Sequence, residues 1–547
     1  MDFAKTVLKS PLFTRPYTVG ASVLIGALLY EQIRYRAKKA HLPGPSFTIP
    51  LIGSLLESLY PSFEGYLNQW KSGALSVVSV FQYFIVIAST CDLSRKILSS
   101  PNLFEPVMVG SMKDILDPHN WVFKEGKDHI EYRKSLNVLF TRKALGGYLG
   151  NQERAYRKNF ADWLASSGVI EPYQNRIRNL NMDTSISVFC GDYISEEVTL
   201  EISEKFRCIT AALDLVNFPL ALPGTRVWHA IQARKYIVHH FEIAASKSKA
   251  RMEHGEPVTC LMDAWIQWML GSQEGLDENG VEDSPKRKDE RRSFSDNEIA
   301  LTVLTFLFAS QDATTSGLTW CFQYLADYPD VLAKVRAEVD GIRKRKPEIW
   351  GADESGLQMP SLSLELVDEL QYTRAVIKEV LRVRPPVLMI PYKAKSDITV
   401  DETSIGKGLG SHYPGDDSKS WFGSYTIPKD SMVIPSFWFA LHDPDVYPNP
   451  DDFDPERFLN PKGFEANAVE GRNYMVFGCG NHYCLGREYA VVHMTSVMAL
   501  AASCLNWEHV TTPDSNRIKI FATTYPMDGC LLRVTPRTMH SDRASRV

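Results

Sequence analysis

Ten residues toward the C-terminal end constrain this chain more than any other feature: Phe477-Gly478-Cys479-Gly480-Asn481-His482-Tyr483-Cys484-Leu485-Gly486, followed at once by an apolar helical stretch. A cysteine entering the N-terminus of a helix has its thiolate favoured by the helix dipole, and a bound metal favours it further. Glycines on both sides let the backbone turn sharply and approach a flat group closely. Taken alone, Cys484 would read as a buried core cysteine in a Gly-rich turn. Cys479, His482 and Cys484 also sketch half a zinc site, but no second ligand pair at zinc spacing accompanies them.

Three further motifs weigh against those bland readings. Glu379-Val380-Leu381-Arg382 puts a carboxylate and a guanidinium on one helix face, and Pro385-Pro386 ends that helix. Phe453-Asp454-Pro455-Glu456-Arg457-Phe458 stands between it and the cysteine loop. Upstream, Trp121 to Arg133 reads WVFKEGKDHIEYR, with His129 and Arg133 one helical turn apart.

With these motifs in order, the spacing Phe-x-x-Gly-x-basic-x-Cys-x-Gly resembles the haem-binding loop of the cytochrome P-450 family, over residues 42–535. The resemblance implies a mainly α fold with a smaller β part. Haem b would sit between a long distal helix and the proximal cysteine loop and helix. Cys484 would be the axial iron ligand, with Phe477, Gly478, His482 and Gly486 against the haem. His129-x-x-x-Arg133 takes the place of the family's Trp-x-x-x-Arg and would face the propionates, since carboxylates call for cationic donors. Lys393 is a further propionate candidate. His482 stands where the family has arginine, which weakens one propionate contact and makes it sensitive to protonation. Glu379, Arg382 and Arg457 would form a buried network behind the haem loop, a structural role.

The periodicity predicts a long helix over Asn297–Asp327, with the central run Phe308-Ala309-Ser310-Gln311-Asp312-Ala313-Thr314-Thr315-Ser316. By resemblance this is the oxygen-side helix, where most members carry a threonine directly after the acid. Here that position is Ala313, and Thr314 lies about 100° further around the helix. Either proton delivery runs through Asp312 with Thr314 or a water, or the enzyme is a peroxide-rearranging haem-thiolate isomerase. A polar kink in a buried helix is the bland alternative. The run itself is similar to that of the oxygen-dependent fungal sterol C-22 desaturases.

That resemblance implies a sterol side chain losing one hydrogen from C-22 and one from C-23, with O2 and with electrons from NADPH. The electrons would arrive through NADPH-cytochrome P-450 reductase, with cytochrome b5 as an optional second donor. Another sterol or xenobiotic hydroxylase, the peroxide isomerase and a non-catalytic sterol- or haem-binding protein stand as alternatives. Substrate contacts assigned by family position are Phe104, Met108, Leu116 and Trp121; Phe306 and Ala309; Val387, Leu388, Met389 and Ile390; and the stretch from Phe521 to Tyr525, chiefly Thr523 and Thr524. They are mostly apolar, as a lipid-dissolved sterol requires.

From Tyr17 to Tyr30 the chain is uncharged and apolar, short of the roughly 20 residues that span a bilayer. A signal peptide and an interfacial helix compete with an anchor here. No small-residue cleavage site follows; Glu31, Arg34, Arg36, Lys38 and Lys39 do, and then Leu42-Pro43-Gly44-Pro45. The expectation is an uncleaved anchor over 1–41 and a single haem-thiolate domain over 42–547. The basic cluster places the catalytic body in the cytosol, on an endoplasmic reticulum membrane. Lys5, Lys9 and Arg15 on the other flank pull against that orientation.

Nine cysteines without paired spacing, in a chain of 547 residues, fit a reducing compartment. A formal net charge of -5 gives no basic excess for nucleic acid. Strands joined by a short turn are expected over 75–90, mostly helix from 131 to about 270, and further helices over 365–383 and 486–506. The charged stretch 272–296 and the Gly/Ser/Asp-rich stretch 401–424 read as solvated loops.

Overall fold

The computed structural model describes residues 16–49, 53, 62–80, 83–108, 111–212, 221–271, 292–352, 356–401, 424–459, 473–520 and 523–537. Both expected loops lie almost wholly outside the described residues, as do Lys5, Lys9, Arg15 and Phe521. The chain divides into two compact units, Met1–Val107 with Met389–Ala440, and Met108–Leu388 with Leu441–Val547.

The first unit is built on a five-stranded sheet. The β-branched runs expected over 75–90 form β1 (Leu75–Val80) and β2 (Tyr83–Ala88), an antiparallel pair. β3 (Phe104–Pro106), β4 (Tyr392–Ala394) and β5 (Met432–Pro435) complete it in the order β1-β2-β5-β4-β3, with β5 parallel to β2. Ahead of the sheet, α1 (Pro16–Lys39) has 24 residues. Gln32 Nε2 ties it to Thr48 O at 2.7 Å, and Tyr425 Oη donates to Lys38 O at 2.6 Å.

The expected spanning anchor is not met: no helix among the described residues is long and apolar enough to cross a membrane. The reason is local. The last turns of α1 carry Glu31, Arg34, Arg36, Lys38 and Lys39 inside the helix itself, so its uncharged run stops at Tyr30. Val23, Leu24, Ile25 and Leu29 in that run are exposed.

The second unit is helical. Its chain-order elements include α2 (Gly126–Asn137), α3 (Arg142–Ala165), α4 (Gln174–Cys190), α5 (Glu196–Ala211), α6 (Asp296–Asp327), α7 (Gln371–Val383) and α8 (Arg487–Cys504). α6 starts where the sequence says it should, at a capping box in which Ser295 and Glu298 satisfy each other's backbone N–H. It is buried nearly all round, its polar side chains included, as a helix wrapped by others must be. Fully buried Trp163, Trp265 and Trp320 pin the surrounding helices, each contributing about 1.5–3 kcal/mol or more by burial. Gly317 lets α6 approach its neighbours closely: a Cβ there would meet Met494 Sδ at 3.0 Å and a Leu381 methyl at 3.2 Å.

The helix expected as one piece over 365–383 is two, Leu364–Glu369 and α7, broken at Leu370. The first N–H groups of α7 are capped from a distance: Glu338 accepts from Tyr372 N at 2.7 Å and from Thr373 N at 3.0 Å.

Candidate functional site

The cysteine loop is shaped by its own backbone. Cys484 N–H donates to Phe477 O at 3.0 Å, Gly478 N–H to Met475 O at 3.0 Å and Tyr483 N–H to Gly480 O at 3.1 Å. Gly478 sits at φ +73°, a region L side chains avoid. A carbon added at Gly478, or at Gly486 where α8 begins, would meet no atom within 4 Å. Both glycines therefore border open space.

Cys484 is exposed at its surface yet stands deep among protein atoms, which pushes its thiol above the usual range. The Gly486 N–H, Arg133 and Arg487 pull the other way without winning. The helix end alone thus does not make a thiolate here; a coordinated metal ion would, by deprotonating the thiol outright.

His129, Arg133 and His482 gather beside it. Arg133 Nη2 donates to Tyr483 O, which places the guanidinium next to Cys484. The His129 ring stacks on Trp121 with centroids 5.8 Å apart, and lies 4.7 Å from the His482 ring. Burial, then His129 and Arg133, push His482 down to about 4, so in the protein alone it is neutral at cellular pH. The buried indole N–H of Trp121 has no hydrogen-bond partner among the described residues.

Glu379, Arg382 and Arg457 come together as expected. Arg382 Nε and Nη2 grip Glu379 Oε2 and Oε1 at 2.7 and 2.8 Å, and Arg457 Nε reaches Oε1 at 3.3 Å. The remaining Arg382 donors bind the carbonyls of Leu441, Pro450 and Asp452 at 2.9, 2.7 and 3.0 Å. Asp454 N–H adds a fourth donor to Glu379, at 3.0 Å. Glu379 and Arg382 are both fully buried.

The central run of α6 presents two faces. Ala309 is exposed and Ala313 half-buried, a small-residue face one turn long in a helix otherwise packed along its length. The polar members of the run point elsewhere, onto α4 and α5. Asp312 is ion-paired to Arg178, and Thr210 Oγ1 bridges the two, 3.1 Å from Arg178 Nη2 and 3.4 Å from Asp312 Oδ2. Asn181 Nδ2 donates to Thr315 Oγ1 at 2.9 Å, Gln311 Nε2 to Arg178 O at 2.7 Å, and Ser185 meets Ser310 at 3.0 Å. Thr314 is buried beside them. Tyr525 Oη donates to the Asp312 carbonyl at 2.9 Å.

The other assigned residues are spread over both units. Phe104, Met389 and Ile390 belong to the first, as does Lys393, whose Nζ pairs with Glu105 Oε1 at 2.5 Å. In the second, Leu116, Phe306, Leu388 and Thr523 are buried, Val387 is half-buried and Met108 is exposed. Thr524 serves the fold: its Oγ1 donates to Pro385 O at 3.0 Å, and its carbonyl accepts from Ser316 and from Trp320 Nε1.

Arg178, Asn181 and Thr210 were not singled out in the sequence. The signal for the first two was faint: Arg178, Asn181 and Ser185 share one face of α4 at helical spacing, a polar stripe on a helix whose other inward residues, Thr184 apart, are apolar.

Haem fits these residues. A thiol that is crowded yet reachable, glycines bordering open space, an unpartnered Trp121 N–H beside Arg133, and an alanine face on the long helix suit a flat macrocycle with propionate groups. The comparisons agree. The cytochrome P-450 family model matches residues 43–410 and 418–530. The C-22 sterol desaturase of Aspergillus fumigatus is 42% identical over 514 residues, covering 92% of this chain and 92% of that one. That of Saccharomyces cerevisiae is 39% identical over 522 residues, covering 94% and 89%. The solved structure of retinoic acid-bound cyanobacterial CYP120A1 shares the fold, with a TM-score of 0.70 at 21% identity, over 91% of this chain and 99% of that one.

Proposed function

Since this chain belongs to the cytochrome P-450 family and is an oxidoreductase of that family with a haem iron cofactor, we propose that it introduces the C-22 double bond of a sterol side chain, late in ergosterol biosynthesis. The observation that carries this reading is near-full-length identity of about two residues in five with enzymes named for that reaction in two distant fungi. Residues from 42 onward are read as one haem-thiolate catalytic domain. Electrons come from NADPH through a reductase, with cytochrome b5 as an optional donor.

Cys484 would hold the haem iron through its sulfur. When bound, the haem supplies activation of dioxygen, its thiolate ligand pushing electron density that favours O–O cleavage. The protein's own part is positioning. Arg133 and His129 would hold the propionates, joined by Trp121; His482 would offer a single ring N–H where an arginine would offer a fork of them. Ala309 and Ala313, the small and accessible residues of the run, would leave room beside the bound haem for substrate and oxygen. Asp312 holds and passes a proton at its carboxylate when it exchanges Arg178 for a water, and Thr314 steadies that water. Glu379, Arg382 and Arg457 keep the loop before Cys484 in register. Within the helical unit, the buried Leu116, Phe306 and Leu388 exclude water from the side chain. Attachment to the endoplasmic reticulum membrane is supported by the exposed apolar residues of α1 next to its basic end.

The test is reconstitution with a cognate reductase and NADPH, using ergosta-type sterols that lack the 22,23 double bond, with products read by mass spectrometry and Cys484→Ala as control. A 22,23-unsaturated sterol, absent with the variant, is the expected result. A hydroxylated sterol, or turnover that does not need NADPH, overturns the desaturase reading.

A further inference from the structure

A chain of buried hydrogen bonds joins the cysteine helix α8 to the long helix α6 through α4. Tyr156 Oη on α3 lies 2.5 Å from His493 Nδ1, and His493 Nε2 lies 2.9 Å from Asn181 Oδ1. Asn181 Nδ2 donates to Thr315 Oγ1 at 2.9 Å, and Thr315 Oγ1 donates to Gln311 O at 2.6 Å. Every side chain in it is 2% exposed or less.

Only one set of proton positions satisfies every member. The Thr315 hydroxyl has one proton and gives it to Gln311 O, so it must accept from the Asn181 amide. That leaves Asn181 Oδ1 as an acceptor, so His493 Nε2 carries the imidazole proton. His493 Nδ1 then accepts from the Tyr156 hydroxyl. Turning the amide over would set its N–H₂ against an Nε2 that must now lack a proton, and would strand the Tyr156 hydroxyl proton. Burial agrees, since it pushes His493 down to about 3 and keeps the ring neutral. The Tyr489 ring lies parallel to that of His493, with centroids 6.0 Å apart. The chain is not a proton wire, because a carboxamide in the middle does not give up and regain protons as a hydroxyl or imidazole does.

We propose that His493 is a positioning residue for the oxygen-side helix. Held in its Nε2-protonated form, it fixes the Asn181 amide, which fixes Thr315, and thereby ties the stretch of α6 carrying Ala309, Asp312 and Ala313 to the helix that begins at the cysteine loop. Asn181 is one turn from Arg178, the partner of Asp312, so the same tie sets the orientation of that ion pair. The role rests on α6 being the oxygen-side helix, and goes beyond the choice of sterol.

The test compares haem-loaded wild type, His493→Phe, His493→Gln and Asn181→Leu. Hydrogen exchange by mass spectrometry reads peptides covering 305–318, and product formed per NADPH consumed reads function. Glutamine can donate to Asn181 and accept from Tyr156; phenylalanine keeps the ring and loses both bonds. The expected result is exchange about tenfold faster within 305–318 in His493→Phe and Asn181→Leu, the scale of one lost buried hydrogen bond, with α3 and the start of α8 unchanged. Product per NADPH falls with it, and His493→Gln restores both. Unchanged exchange, or a uniform rise through α3, α4 and α8, overturns the proposal and makes His493 ordinary core. Asn181→Leu cuts the same chain from α4, so a misfolded His493→Phe does not end the test. A wild type that loads haem but leaves the sterol untouched counts against the desaturase reading alone, and the exchange data then decide the tie.

Discussion

Two charged clusters in the helical unit share a composition and differ in how completely they are satisfied. In the first cluster Arg382 spends all its N–H groups on Glu379 and three backbone carbonyls, Glu379 also accepts from Arg457 and the Asp454 N–H, and Arg457 binds a fourth carbonyl, that of Asn449. Arg178, Asp312 and Thr210 are also withdrawn from water, but the buried Arg178 Nε has no partner among the described residues and the Thr210 contact to Asp312 is long, at 3.4 Å. A saturated buried network has one arrangement and is costly to disturb. An under-satisfied one gives up less when it rearranges. The first cluster therefore has the properties of a clamp, and the second those of a group that can change partners during a reaction.

The sharpest way to break this contrast is Arg382→Ala. It leaves Glu379 buried with Arg457 as its remaining cation, a loss expected to cost about 3–5 kcal/mol. The variant should accumulate little haem-loaded protein and melt far earlier than wild type. Arg382→Lys should fail nearly as badly, since an ammonium cannot grip both carboxylate oxygens and three carbonyls in fixed directions. If Arg382→Ala loads haem and melts normally, the cluster is no clamp.

Asp312→Asn comes next. The amide keeps the shape, loses the ion pair with Arg178 and cannot pass a proton. Haem loading and thermal stability should change little, while product formed per NADPH falls about 100-fold or more, the usual scale for losing a proton-transfer group. Should Asp312→Asn instead lower stability and leave product yield intact, the second cluster is as structural as the first and proton delivery runs elsewhere.

Acid sensitivity gives a smaller effect. His493 has its proton affinity pushed from the ordinary 6.5 to about 3 by burial, and the titratable rings against it, Tyr156 and Tyr489, are themselves pushed up and uncharged. The unfolded chain takes up a proton below 6.5 that the folded chain refuses until about 3, so this group costs nothing above 6.5 and destabilises progressively below it. At pH 5 the cost is about 2 kcal/mol. Urea midpoints measured from pH 7.5 to 5 should fall more steeply for wild type than for His493→Gln. Parallel curves would show that the imidazole titrates freely.

How much of this could be read from the sequence follows from how far apart the partners stand. The cysteine loop is a local object: its turns are closed by bonds from Met475 to Cys484, so spacing alone reveals it. The Glu379–Arg382 pair is likewise one helical turn, and the strands over Leu75–Ala88 are a contiguous hairpin. The α4–α6 contacts have no such local signature, because Arg178 and Asn181 meet residues far along the chain and look like any polar positions on a helix. The break at Leu370 escaped for the same reason: its cap, Glu338, comes from another helix. The α1 helix misleads differently. Its charges fall inside the helix and not beyond it, so counting apolar residues gives its start and not its character.

Lys393 tests the weakest assignment and the smallest effect. Family position offers it to a propionate, whereas here its ammonium meets Glu105 in a pair open to water. Such a pair is worth less than about 1 kcal/mol, and less again at high salt. Lys393→Ala should therefore leave the Soret spectrum, haem retention against apomyoglobin and product yield as in wild type, and shift the melting temperature by no more than about a degree or two. Arg133→Ala, assayed beside it, should release haem readily. Haem loss from Lys393→Ala as fast as from Arg133→Ala would overturn this reading of the Lys393–Glu105 pair.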